Sequence, residues 1–304
     1  MLVFMNKSGQ IERNGSLRGI MRPFPRRLWL MVATALIFMS LSVLPASSHV
    51  LEGPHVLELM AETLSGAKTL RVEQQVTVED ASIAEHPLSL RETLSYAFSD
   101  RFRSDTWYEN TNCIYVRSNS EAITIIDGRR TENRENRLDR YKDLLLYRSR
   151  SSLHKMLLSY NVDTEKSSLG RFEDRVVYVI GAQFPDESVS QVWVDKESLL
   201  PLRWLNISNI ETQDRLEFIY RDWQKKNNLW YPTHVEIFHS QLPVRRIVTT
   251  LLQVDVEFPQ ALFDIAQLLS AFPPEEPAIQ PVPPETDVDE VQRTIEQFQK
   301  KFED

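Results

Sequence analysis

The chain has 304 residues, of which 43 are acidic and 35 basic, so its formal net charge at pH 7 is −8. An acidic surface repels phosphate backbones, which argues against a nucleic-acid partner. Cys113 is the only cysteine, which excludes an intramolecular disulfide. Because Cys113 lies within TNCIYV, a strand-like stretch, we interpret it as a small packed residue and not as a reactive thiol.

Residues 1–48 have the layout of a secretory signal. Six basic residues and one acidic residue accompany the apolar run 28–44, which is followed by Pro45, Ala46, Ser47 and Ser48. Cleavage is expected after Ser48 and translation from Met21 is an alternative start; both predict a periplasmic protein without a transmembrane segment. The competing interpretation is an uncleaved anchor, since about 17–25 apolar residues span a membrane. Removal of residues 1–48 leaves 29 basic and 42 acidic residues, a net charge of −13.

The first half of the mature chain predicts a helix followed by strands. Apolar residues recur at helical spacing from 53 to 67, with Val56, Leu57, Met60 and Leu64 on one stripe. From 69 to 80 the pattern changes to strict alternation, which is typical of a half-buried strand. Further strands are predicted at 90–98, 101–109, 112–118 and 121–127, a spacing that favours an antiparallel meander.

The second half begins with a polar run at 131–140, which we interpret as a loop, and a helical pattern over 139–160. Strands are then predicted at 175–183, 188–196, 200–208, 215–223, 231–239 and 244–257. About ten strands and two amphipathic helices predict a mainly β (α+β) domain over 49–268. A strongly curved antiparallel sheet wrapped over the helices would bury their apolar faces.

Residues 269–286 form a proline-rich, acidic segment that predicts a linker. Residues 287–304 place Val288, Val291, Ile295 and Phe298 on one face of a short amphipathic helix. This helix either docks weakly on the domain or serves as a peptide that binds a partner.

The sequence lacks the motifs that carry common enzyme chemistry. The five glycines after residue 48 do not form a phosphate-binding loop, and no GxSxG elbow is present. His234 and His239 lie five residues apart, so on a strand they project from opposite faces and do not predict a metal site. We therefore predict a protein that is not an enzyme and uses no cofactor.

Two stretches resemble a known family. RFEDRVVYVIGAQFPDESVSQVWVDKESLLPLRW (171–204) and RLEFIYRDWQKKNNLWYPTHVEIF (215–238) are similar to the LolA-like outer-membrane lipoprotein-sorting proteins, the periplasmic lipoprotein carrier superfamily. FSDRFR (98–103) and IIDG (125–128) resemble the family's early strand pair, and LFDI (262–265) its closing strand. The chain departs from the family where Phe98 and Ser99 replace an Arg-Pro pair.

The resemblance implies an unclosed β-barrel with helices over its open side and an apolar cavity between them. It also implies a chaperone that holds the acyl chains of lipoproteins or lipids for sorting to the outer membrane, with membrane-bound release and acceptor factors as further partners. The candidate cavity residues are apolar positions on strands and the second helix: Val72, Val76, Phe98, Phe102, Ile123, Ile125, Leu145, Val192, Val194 and Phe218. The alternative function is an envelope sensor that binds the same ligands and signals through a partner.

Overall fold

A computed structural model of the protein describes residues 50–79, 86–98, 100–119, 121–131, 136–209, 212 and 214–272. The predicted signal segment and the predicted C-terminal helix lie outside these residues. The strands are β1 Thr69–Val78, β2 Leu88–Ala97, β3 Arg101–Tyr108, β4 Thr111–Ser118, β5 Glu121–Ile126, β6 Arg129–Thr131, β7 Ser167–Phe172, β8 Arg175–Ile180, β9 Gln191–Asp195, β10 Pro201–Asn209, β11 Asp214–Lys226, β12 Leu229–His239 and β13 Leu242–Val254. The α-helices are α1 Gly53–Leu64, α2 Asp143–Leu146, α3 Arg150–Ser159 and α4 Ile265–Ala271, and two 3-10 helices span Arg137–Lys142 and Gln260–Phe263.

The described strands form one antiparallel, strongly curved and unclosed sheet, in the spatial order β6-β5-β4-β3-β2-β1-β13-β12-β11-β10-β9-β8-β7. Two meanders, β1–β6 and β7–β13, meet where β1 pairs with β13. The mainly β fold with helices against one curved sheet is confirmed, with thirteen strands in place of about ten. Since β6 and β7 are the two edges, the chain that connects them must pass from one side of the sheet to the other.

Register separates the sheet into two faces. Val72, Leu94 and Ser104 are aligned across β1, β2 and β3, and define the inner face. The adjacent register line, through Arg71, Ser95, Arg103, Val116 and Ile123, defines the outer face. Helix α1 buries Val56, Leu57, Met60, Ala61 and Leu64 in the cluster that also contains the inner-face residues.

Close backbone approaches fix α1 at both ends. A Cβ atom on Gly53 would lie 2.1 Å from the Thr164 carbonyl oxygen, and one on Gly66 would lie 1.7 Å from that of Asn228. No side chain fits at such distances, so glycine allows the segment to lie directly against the residues before β7 and the turn between β11 and β12.

The prediction of a single helix over 139–160 is wrong. The chain forms the first 3-10 helix and α2, adopts an extended conformation at Tyr147, and begins α3 after Ser149. The Ser149 hydroxyl accepts a hydrogen bond from the Ser152 amide at 3.2 Å, so serine caps a new helix where helical spacing predicted continuity. The predicted loop at 131–140 is corrected in the same way, because it overlaps β6 and the first 3-10 helix.

Two further elements differ from the prediction. LFDI, expected as a closing strand, forms the end of the second 3-10 helix and the start of α4, with the Asp264 carboxylate capping the Gln267 amide at 3.0 Å. Strand β7 was not predicted because its sequence, SSLGRF, is polar and contains Gly170. Among the described residues, no helix has the length and apolarity needed to cross a membrane.

Candidate functional site

The largest apolar region of the described residues lies between the inner face and helices α1, α2 and α3. Leu57 and Met60 from α1, and Leu153 and Leu157 from α3, are fully buried there. The sheet contributes aliphatic side chains and also large aromatic rings, among them Trp204, Phe218, Tyr220 and Tyr231. Short helices, not strands, therefore cover a continuous apolar surface.

Most of the candidate cavity residues lie in this interior. The structure places seven of the ten in the same buried cluster: Val72, Val76, Phe102, Leu145, Val192, Val194 and Phe218. Phe98 is partly buried and packs against the cluster from the end of β2. The alternation of apolar residues along the strands thus predicted most, but not all, of the candidate side chains that share this face.

Ile123 and Ile125 do not join them. Both are buried, but their register places them on the outer face with Val116, where Ile265 of α4 covers them. Their assignment to the inner face is corrected: their register places them on the outer face, and α4, which the sequence analysis did not predict, buries them there.

A buried ion pair ties the described part of the chain between β6 and β7, residues 136–166 (the crossing segment), to the inner face. The Lys142 ammonium lies 2.6 Å from a Glu92 carboxylate oxygen, and each side chain is only 6% exposed. Gln74 donates to Glu92 at 2.5 Å and to the Tyr141 hydroxyl at 2.7 Å, while Ser104 donates to Glu92 at 2.5 Å. The carboxylate therefore has partners from β1, β3 and the 3-10 helix, as a buried charge requires.

The same network includes a second carboxylate. Asp139 lies 3.2 Å from Lys142 and 3.2 Å from Arg245 of β13. Although burial opposes it, the negative charges of Asp139 and Glu92 raise the pKa of Lys142, and the cations Lys142 and Arg245 lower the pKa of Asp139 against its own burial. Both shifts favour the charged forms of Lys142 and Asp139.

Further polar contacts fasten the crossing segment to both meanders. Asp143 accepts from Arg117 of β4 at 2.9 Å and from the Tyr160 hydroxyl at 3.0 Å. Arg137 donates to Asp214 of β11 at 2.7 Å, and the Tyr220 hydroxyl donates to the Tyr141 carbonyl at 3.0 Å. Polar contacts at residues 137, 141 and 143 therefore add to the apolar packing that positions the helices over the inner face.

Sequence reasoning missed this network, although β2 carries a signal for it. Leu90, Glu92, Leu94 and Tyr96 alternate with polar residues, which places Glu92 on the apolar face. A carboxylate at such a position requires a buried cation, which Lys142 supplies from a distant segment. No spacing along the chain identifies that partner.

A separate cleft of about 340 Å³ lies along β11, β12 and β13. Its lining is largely polar, with Asp222, Gln224, Thr233 and Thr249 beside Val248 and Leu251. His234 lies 3.7 Å from Asp222. Among the described residues, no cluster of three or more His, Cys, Asp or Glu side chains is arranged to hold a metal ion. This cleft is polar and open, unlike the interior under the helices.

Comparisons with known proteins support the fold. No protein-family model matches the chain, and no curated protein matches it significantly. A LolA superfamily protein from Nitrosomonas europaea aligns over 72% of this chain and 100% of its own, with 10% identity and a TM-score of 0.51. The chain therefore has the fold of the LolA superfamily, as its turn and strand motifs predicted.

Two further solved structures also match. One is described as an outer membrane lipoprotein-sorting protein domain from Vibrio parahaemolyticus, with 11% identity and a TM-score of 0.49, covering 71% of this chain and 97% of that one. The other is a DUF1329 family protein from Desulfovibrio piger, with 14% identity, a TM-score of 0.49 and the same coverage.

Proposed function

We propose that the protein is a periplasmic carrier that holds the acyl chains of lipoproteins or lipids between the sheet and its covering helices. The observation that carries the proposal is the continuous apolar interior of an unclosed sheet. Helices cover this interior without forming strand pairs with the sheet. Each acyl methylene transferred from water into such an environment contributes about 0.8 kcal/mol, so a long chain is held without covalent chemistry.

The crossing segment, which covers the inner face, is suited to reversible opening. Its polar contacts with the sheet are separate ion pairs and hydrogen bonds at 137, 139, 142 and 143, not a continuous ladder of backbone bonds. Water can replace such polar contacts when the segment moves, because protein–water bonds substitute for protein–protein bonds at modest net cost. An acyl chain would then replace the apolar contacts that the helices lose.

Native mass spectrometry of the mature chain, purified from periplasm without detergent, tests this function. We expect adducts with the masses of lipids or acylated peptides. Val76→Trp, which enlarges an interior side chain, should reduce their occupancy, whereas Val176→Trp at a position that is 41% exposed should not. A wild-type protein that remains free of lipid, both as purified and after incubation with lipoprotein, would refute the proposal.

A further inference from the structure

A partly buried arginine near the rim of the interior has buried polar atoms without partners. Arg148 follows α2 and precedes the exposed residues Ser149 and Arg150. Its Nη1 donates to the Leu64 carbonyl at the end of α1, whereas its Nε and Nη2 atoms are buried with no hydrogen-bond partner. Buried donors without acceptors are rare, since each costs about 1–3 kcal/mol.

Other arginines of the domain show what Arg148 lacks. Arg117 pairs with Asp143 at 2.9 Å, and Arg203 pairs with Glu187 at 2.7 Å and Glu217 at 2.5 Å. Arg148 forms no ion pair with any described carboxylate; its neighbours are the Phe98 ring, 4.0 Å from its guanidinium carbon, and the tyrosines Tyr96 and Tyr231. Burial lowers the pKa of Arg148 to about 10, so the cation is retained at neutral pH without a counter-charge.

The two tyrosines bring their hydroxyls to the same place. Tyr96 is 0% and Tyr231 1% exposed, and their ring centroids lie 6.5 Å apart. Each hydroxyl has the other as its hydrogen-bonding neighbour, which alters the pKa of both, and neither has a partner elsewhere among the described residues. Tyr96 also stacks on Phe98 at 5.5 Å, which connects the guanidinium to the aromatic side of the interior. The group therefore offers several donors, one of them cationic. A nearby carboxylate, Glu92, raises the pKa of both tyrosines but is already bonded to Lys142, Gln74 and Ser104.

We propose that Arg148, Tyr96 and Tyr231 bind the oxyanion of an anionic acyl lipid, a carboxylate or a phosphate. A guanidinium matches the two oxygens of either group, and the phenol hydroxyls satisfy the remaining lone pairs. The chain of the ligand would continue from this rim into the interior, with few polar groups fixing its orientation. This inference rests on the carrier function and specifies the ligand class: an anionic lipid binds more tightly than a neutral ester of the same chain.

The test compares three probes on the delipidated mature protein: oleate, oleoyl lysophosphatidate and methyl oleate. We expect wild-type protein to bind one or both anions at least tenfold more tightly than methyl oleate. Arg148→Gln should weaken anion binding about tenfold, equivalent to about 1.4 kcal/mol, and leave methyl oleate within twofold. Arg150→Gln, an exposed neighbour, is the matched control and should change none of the three. Oleate and lysophosphatidate distinguish a carboxylate ligand from a phosphate ligand.

Tyr96→Phe and Tyr231→Phe separate binding from structure, because each removes a hydroxyl whose only hydrogen-bonding neighbour among the described residues is the other tyrosine and keeps the ring. We expect weaker anion binding with little loss of thermal stability. Equal affinity of wild-type protein for oleate and methyl oleate, or an equal loss of both in Arg148→Gln, would overturn the oxyanion site and leave the carrier function intact. Failure of all three acyl probes to bind would instead count against the carrier function.

Discussion

The two faces of the sheet are buried by different means. The inner face carries one large apolar cluster under α1, α2 and α3, with an ion pair buried within it. The outer face carries two small clusters, one under α4 and one beneath the loop that holds Phe184 and Val189, with charged side chains such as Arg221 and Arg246 at its surface. The inner face therefore depends on a long crossing segment, and the outer face depends on local cover.

Removal of the buried cation should have the largest effect. Lys142→Met leaves Glu92 without its cation in a site where both side chains are 6% exposed, so we expect the free energy of unfolding to fall by about 3–5 kcal/mol. Arg246→Met on the outer face removes a pair with Glu79 in which the arginine is 51% exposed, and should cost less than about 1 kcal/mol. Urea unfolding of both variants measures the difference. Equal losses would mean that the inner network does not hold the crossing segment.

Truncation of apolar side chains should give a smaller contrast. Leu57→Ala removes a fully buried side chain from α1, between fixed helix ends, and should cost about 3 kcal/mol. Ile265→Ala, 6% exposed at the start of the short helix α4, should cost about 2 kcal/mol because α4 lies at the surface and can settle into the space. Chemical denaturation at one pH provides the comparison, and a larger loss for Ile265→Ala would contradict it.

The sequence was sufficient for the local parts of this architecture and insufficient for the long-range ones. Alternation along β1 and β2 predicted the inner face, since side-chain direction in a strand depends on parity alone. The break at Tyr147 was missed because helical spacing continues across it, and β7 because Gly170 packs against the Phe184 ring, which leaves no apolar alternation to detect.

The residues of the candidate site also divide into those that local pattern predicts and those that only the folded chain brings together. Val72 and Val194 were found because burial follows local pattern, whereas Ile123 and Ile125 follow the same pattern on the other face. Arg148, Tyr96 and Tyr231 come from three distant segments, so only the folded chain brings them together. Asp264, with Gln267 three residues later, is a capping signal from which α4 could have been predicted in place of the closing strand.

The smallest predicted effect concerns the acid stability of the outer face. Hydrogen bonds from Arg203, opposed by partial burial and aided by Arg215, lower the pKa of Glu187 to about 2 from its ordinary value of 4.5. Because the folded-state pKa lies below the unfolded one, the stabilisation is complete above about pH 4.5 and is lost as the pH falls towards 2. Glu187→Gln should therefore be less stable than wild type at pH 7, and the gap between their free energies of unfolding should narrow between pH 4.5 and 2.

This gap in the free energy of unfolding should be modest, since the Glu187 side chain is 35% exposed and solvent screens the pair. Urea unfolding of both proteins at pH 7, 4.5 and 3 follows the gap, and a gap that stays constant over this range would show that the Arg203 pair does not stabilise the outer face.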